Sequence, residues 1–310
     1  MTGEIREISI ELGPETVSAL EFLPAGGGAG APLALCLHGF PDDNRTFDGL
    51  GADLAAAGFR AIAPLMPGYE PSSIQANGDY TIAGVADVLG RLMEKLADGG
   101  AVHLIGHDWG AVMGHVVAAD RPDLLASWTA IAIPPTGRLT AIAARAPWLA
   151  LPFWYIGVFQ ARGVADWLVA RDDWAFIDLL WRRWSPKWTP PDGMLDHVKQ
   201  TLARPGVKKA ALGYYRCLAS PFTGRFKEGV RRASRRIEKP SLILAGTRDG
   251  CFSVDAFRIG IRAEDYPGGV ALEIIEDAGH FLHLEKPEVV NPLIVAHLRR
   301  AAASAAQAVA

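Results

Sequence analysis

The chain has 310 residues, half of them hydrophobic, and a formal net charge of −3. That length suits one large α/β domain with an insertion and supplies a sizeable core. The near-balance of charge argues against nucleic acid as a partner.

The N-terminal "MTGEIREISIEL" carries acids and lacks the apolar stretch of a secretory signal. No run is long enough and free enough of proline and charge to span a bilayer. The three cysteines, Cys36, Cys217 and Cys251, show no paired spacing. Reduced thiols and a cytoplasmic, soluble protein are the expectation.

"REISIEL" and "TVSALEFLP" read as two strands of an opening hairpin. The glycine-rich loop at 26–32 lacks the Gly-Lys-Ser/Thr ending of a phosphate loop, so no ligand role is given to it. "PLALCLHGF" is a buried strand, "FDGLGADLAAAGF" a helix and "FRAIAPLMPGY" the next strand. "TIAGVADVLGRLMEKLADGG" is an amphipathic helix with a glycine stop, followed by the strand "AVHLIGHD", the helix "GAVMGHVVAADRP" and the strand "LLASWTAIAIP". Strands alternating with helices of this length imply a mostly parallel sheet covered on both faces.

From about 136 to 228 the pattern changes to proline-broken helical segments, and seven of the nine tryptophans fall between Trp148 and Trp188. This stretch is expected to form a helical cap over an apolar cavity, with most of its aromatic residues in a core. The basic run "RFKEGVRRASRRIEKP" (225–240) reads as a solvated helix face or linker rather than an anion site. Alternation resumes at "PSLILAGTRDG", continues through "VDAFRIGIRA" and "VALEIIEDAGH", and closes with a helix from Lys286 to about Arg300, leaving "AAASAAQAVA" as a frayed tail. The division expected is a split core, 1–135 and 229–310, around a cap at 136–228.

In an open parallel sheet, ligands bind beyond the carboxyl ends of the strands. Four features stand at such ends: "HGFP" (38–41), "GHDWG" (106–110), Asp249 in "GTRDG" and His280 in "DAGHF". Gly106 and Gly110 bracket Asp108 as the pair of a nucleophile elbow brackets its central residue. The following helix N-terminus favours the carboxylate's charge. Asp is also a common helix N-cap, but capping explains neither the flanking glycines nor the downstream order of acid and histidine. That order, Asp108, Asp249, His280, is that of a hydrolase triad on an α/β sheet. The backbone N–H groups of Phe40 and Trp109 are the expected oxyanion hole, with Pro41 fixing the turn. "HFLHLE" (280–285) is a weak metal pattern and is set aside. His38, Pro41, Trp154, Phe159 and Phe281 are the expected pocket lining.

A carboxylate nucleophile restricts the chemistry. A serine attacking an alkyl carbon would give an ether, a dead end, whereas Asp108 gives an ester that water, activated by His280, can break. At this point the chain resembles the epoxide hydrolases of the α/β-hydrolase superfamily, and the resemblance runs through nearly its whole length. In that family two cap tyrosines face the oxirane oxygen. One lies in a segment like "FWYIGVFQ", which implies Tyr155, and the other precedes an arginine, as in "GYYR", which implies Tyr215 with Tyr214 as its neighbour. The implied reaction is hydrolysis of a small apolar epoxide by water to a vicinal diol, with neither metal nor cofactor. The chain departs from the family in having Phe47 as the aromatic nearest after "HGFP", and Pro67-Gly68-Tyr69 where Arg-Gly-Tyr is usual. A haloalkane dehalogenase shares the Asp-Trp pair, but Phe40 stands where one major group of that family has Asn, and Trp109 where fluoroacetate dehalogenases have Arg. A non-enzymatic binding protein on the same fold would have lost a triad member, and none is lost here.

Overall fold

The computed structural model describes residues 4–309. The chain opens with the hairpin β1 (Glu4–Glu11) and β2 (Thr16–Leu23), then β3 (Leu33–Leu37), α1 (Asp48–Ala56), β4 (Arg60–Pro64), α2 (Ile82–Ala97), β5 (Val102–His107), α3 (Trp109–Asp120) and β6 (Leu125–Ile131). Five helical segments follow, α4 (Leu139–Arg145), α5 (Trp154–Gln160), α6 (Val164–Trp184, broken by non-helical backbone from Arg171 to Trp174), α7 (Met194–Ala203) and α8 (Val207–Arg216). The remainder is α9 (Gly224–Ala233), β7 (Ser241–Gly246), α10 (Val254–Gly260), β8 (Val270–Ile275), α11 (Leu282–Glu285) and α12 (Pro287–Val309).

The eight strands form one sheet in the order β1-β2-β4-β3-β5-β6-β7-β8. β2 pairs antiparallel with β1 and β4, and every later pairing is parallel. The period-two geometry of a strand divides the apolar residues between two cores. In β3, Leu35 and Leu37 join a core with α2, α3 and the helices between β6 and β7, while Ala34 and Cys36 join another with α1 and α12. β3 and β5 are buried along their whole length, as a sheet covered on both faces requires. α2 begins where the Thr81 hydroxyl accepts the Gly84 N–H at 3.1 Å and ends at Asp98 with φ of 44°.

Three expectations need correction. The basic run is not a solvated face. Arg225 reaches Asp79 and Asp87, each at 2.8 Å, and Arg232 binds Asp87 and Asp120, tying α9 to α2 and α3. α9 therefore crosses the 228/229 division drawn from the sequence and packs as part of the sheet's helical cover. The alanine-rich tail is helical as far as Val309, where α12 ends, as alanine's helix propensity allows, and Ala310 lies outside the described residues. The cap aromatics are less uniformly core than expected, because Trp148, Trp154 and Trp167 are exposed. No single helix among the described residues is long and apolar enough to cross a membrane.

Candidate active site

The elbow forms because two elements meet with no room between them. A Cβ on Gly106 would collide with the Gly110 carbonyl, and one on Gly110 with the Leu37 carbonyl. Only glycine lets β5 turn straight into α3 beside β3. Between the two glycines Asp108 sits at φ 48° and ψ −121°, a conformation costly for a non-glycine residue and held by the packing around it. The turn thrusts its carboxylate out beyond the end of β5.

Asp108 Oδ1 accepts the Phe40 N–H at 2.8 Å. Its Oδ2 lies 3.5 Å from His280 Nε2. On the far side of the imidazole, Nδ1 lies 3.1 Å from Asp249 Oδ2. Asp249 is fixed in turn, its Oδ1 accepting the N–H groups of Cys251 at 2.6 Å and Phe252 at 3.1 Å. The acid, the histidine and the elbow carboxylate thus stand in line at the ends of β7, β8 and β5. Burial opposes the charged form of His280, but the carboxylates of Asp249 and Asp108 outweigh it and push the imidazole up to about 10. In this state it is an imidazolium clamped between two acids.

The helices after β6 bring the tyrosines over this line. Tyr155 on α5 and Tyr215 on α8 are buried with ring centroids 5.7 Å apart, and the Asp108 charge is among the causes that raise both phenols well above their ordinary value, after burial itself. The Tyr155 hydroxyl is 3.8 Å from Cys251 Sγ. The buried Tyr215 hydroxyl has no protein partner among the described residues. Tyr214 is turned away: its hydroxyl donates to the Pro67 carbonyl at 2.7 Å. Of the two tyrosines in "GYYR", Tyr215 is the one whose hydroxyl is left without a protein partner among the described residues.

The expected lining residues divide. Phe159 packs edge-on against Phe40, Tyr155 and Tyr215, at 5.7, 5.6 and 5.0 Å between centroids, and walls the tyrosine pair. Phe281 is buried next to His280 and stacks on Trp181 at 3.7 Å. The Pro41 carbonyl accepts the Trp181 indole N–H at 2.7 Å, pinning the "HGFP" loop to α6. His38 is a brace rather than a wall. Its Nδ1–H donates to the Gly39 carbonyl and its Nε2 accepts the Met66 N–H, both at 2.9 Å, and burial lowers it to about 4. Trp154 does not line the site: it is exposed, with the Arg183 guanidinium 5.6 Å over its ring, because α5 turns Tyr155 and Phe159 inward and its neighbour outward. Trp109 borders Tyr215 edge-on at 5.0 Å, and its N–H stands at the first position of α3.

Sequence reasoning missed the groups that hold the His280 loop. The His280 N–H is within 3.1 Å of both the Trp184 carbonyl and Ser185 Oγ, and Ser185 donates to Glu285, which also accepts the Gly279 N–H at 2.7 Å. The end of α6 thus latches onto the His280 loop, a contact no local motif announces. Cys251 was noted only as a thiol, yet "RDGC" places it two residues from Asp249 and against Tyr155. "HFLHLE" is not one ligand set: His280 faces the acids, while His283 Nε2 bonds Thr46 at 2.7 Å. The site is closed. Asp108, His280, Tyr155 and Tyr215 are all buried, and surface clefts of about 610 Å³ by Glu7, Arg45 and Arg204 and about 620 Å³ by Tyr80, Arg162 and Arg216 lie elsewhere.

Residues 32–287 match the family described as alpha/beta hydrolase fold. Among curated proteins the chain is similar to epoxide hydrolase A of Mycobacterium tuberculosis, 27% identical over 301 residues covering 88% of this chain and 92% of that protein. It is likewise similar to the AB hydrolase superfamily protein YfhM of Bacillus subtilis, 28% identical with 89% and 93% covered. Among solved structures, epoxide hydrolase A of Mycobacterium thermoresistibile superposes with a TM-score of 0.76 at 25% identity, covering 96% of this chain and 98% of that one. The epoxide hydrolase VrEH1 of Vigna radiata gives 0.78 at 22% identity over the same shares, a likeness of fold.

Proposed function

The chain belongs to the alpha/beta hydrolase fold family, matched across residues 32–287, and within it we propose an epoxide hydrolase working through an aspartyl ester. One observation carries the reading: a carboxylate on a strained elbow, between the Phe40 N–H and an imidazolium, beneath two buried phenols. The names of the relatives at 27% identity point the same way.

Tyr155 and Tyr215 donate their hydroxyls to the ring oxygen of an apolar epoxide. Oδ1 of Asp108 is engaged by Phe40, so Oδ2 attacks the ring carbon. The carbon–oxygen bond breaks, and the alkoxide takes a phenolic proton. The ester so formed carries no charge, and the imidazolium loses one of its two anionic neighbours. Its affinity for the proton falls, the proton passes to the phenolate, and neutral His280 becomes a base. It then takes a proton from water as the oxygen attacks Cγ of Asp108. The oxyanion develops at Oδ1, where the Phe40 N–H already points and the Trp109 N–H is close by. Collapse breaks the bond from Cγ to the ester oxygen, which leaves with the diol and takes a proton from His280, and the acid proton left on Asp108 then passes to Nε2 and restores the imidazolium. Asp249 holds the ring and its tautomer throughout.

A halide would need N–H donors. The Trp181 indole is committed to Pro41 and the Trp109 indole packs edge-on against Tyr215, whereas two phenols stand together at the site, which favours epoxide opening over dehalogenation.

Intact-protein mass measured after incubating His280→Gln with styrene oxide tests the reading. A one-to-one adduct mapping to Asp108 is expected. An adduct with haloalkanes and none across an epoxide panel refutes it. In heavy-oxygen water a single turnover should place label in Asp108, and label found only in the diol excludes the ester.

A further inference from the structure

From Leu124 to Ala165 the chain has no acidic residue and three arginines, Arg138, Arg145 and Arg162. Arg138 is used internally, bound through both nitrogens to Asp265 at 2.7 Å. Arg145 and Arg162 are exposed and form no ion pair among the described residues. Between them the chain bends by 117° from the helical segment Thr136–Arg145 into Pro147–Gln160. Just beyond the bend Trp148 is 64% and Leu151 75% exposed, and Trp154, 41% exposed, follows with Arg183 over its ring.

Large apolar side chains held in water need a reason, and this set has one chemistry in common. Tryptophan and leucine beside unpaired arginines are the residues that settle at the headgroup level of an anionic bilayer. We propose that this cap surface, centred on Trp148, Leu151 and Trp154 and flanked by Arg145, Arg162 and Arg183, docks on an anionic lipid surface. Neither segment is long and apolar enough to span by itself, and the 117° bend between them turns both along a surface, the disposition of a helix pair lying on a bilayer. A second copy is the poorer occupant: pairing this stretch with itself would set arginine against arginine with no acid in the stretch to answer it. The same α5 that turns Trp154 outward turns Tyr155 inward. Docking would therefore bring the cap's reactive lining close to a phase that concentrates apolar solutes. That consequence rests on the epoxide reading above, whereas the docking itself does not.

Sedimentation with phosphatidylcholine vesicles, with and without phosphatidylglycerol, tests the proposal without any turnover. The intact protein should pellet with the anionic vesicles, bind pure phosphatidylcholine weakly, and be released by high salt, which shrinks the screening length to about 3 Å at 1 M. Trp148→Ser with Leu151→Ser should weaken binding about tenfold or more. Arg145→Glu with Arg162→Glu should do the same on anionic vesicles only. Far-ultraviolet circular dichroism checks that both variants are folded. A protein that stays in the supernatant with anionic vesicles overturns the proposal, as does equal binding by a folded Trp148→Ser/Leu151→Ser variant. So does a dimer in light scattering that this double variant turns into a monomer, which would make the surface an interface between copies.

Discussion

The two-carboxylate clamp on His280 makes a quantitative demand. Removing the charge of Asp108, as ester formation does and as Asp108→Asn mimics, takes away an anion 3.5 Å from Nε2. At an effective dielectric of about 20, the value that suits even buried sites, Coulomb's law puts that interaction at roughly 5 kcal/mol. At about 1.4 kcal/mol per pH unit, it is enough to bring the imidazole down into the ordinary histidine range. Titration of the ring by nitrogen-15 NMR should place His280 near 10 in the unmodified protein and several units lower in Asp108→Asn, with Asp249 still bonded to Nδ1. The sign for stability follows. A group whose folded value is raised contributes fully below its unfolded value of 6.5 and loses that contribution as pH rises through about 10. Asp108→Asn should flatten that alkaline decline in melting temperature. If His280 titrates identically in both proteins, the carboxylate does not hold the proton, and the handover from clamp to base proposed for the catalytic cycle is wrong.

At the acid end the sign reverses. His103, His115 and His297 are each lowered to about 4 and His283 to about 3 by burial, so they contribute above 6.5 and the contribution is lost as pH falls toward those values. Thermal melts should therefore drop steeply below about pH 6, and a melting temperature unchanged down to pH 4 would contradict this. Tyr215→Phe should lower kcat/KM for an epoxide by about 100-fold with little effect on stability, while Tyr214→Phe, which strips the Pro67 carbonyl of its donor, should cost about 1–3 kcal/mol of unfolding free energy and leave the chemistry mostly intact. The reverse pattern would exchange the two roles. Ser185→Ala, which frees the His280 loop from the cap, should lower kcat more than it raises KM in steady-state assays, and a pure KM effect would make the latch a binding element instead.

The division between what the chain announces and what it hides follows the range of each interaction. Gly106, Asp108 and Gly110 are legible because the turn's steric demand is met by residues adjacent in sequence, and the alternation of strands and helices carries its own period. The order Asp108, Asp249, His280 is legible because each stands at a strand end, where an α/β sheet collects its ligands. Tyr155 and Tyr215 needed the resemblance, since nothing local separates Tyr215 from Tyr214, and the engagement of Tyr214 by the Pro67 carbonyl is a contact between residues far apart in sequence. The basic run was misread for the same reason. Its partners Asp79, Asp87 and Asp120 lie more than a hundred residues earlier, and a charge pattern scored by itself looks solvated. Trp154 shows the opposite failure: an aromatic beside a tyrosine proposed for catalysis looks like pocket, but one step along a helix rotates a side chain by about 100° and points it at water. That rotation makes α5 an element with two faces, one packing the Tyr155 phenol against Tyr215 and Cys251 and one presenting the Trp154 indole to solvent.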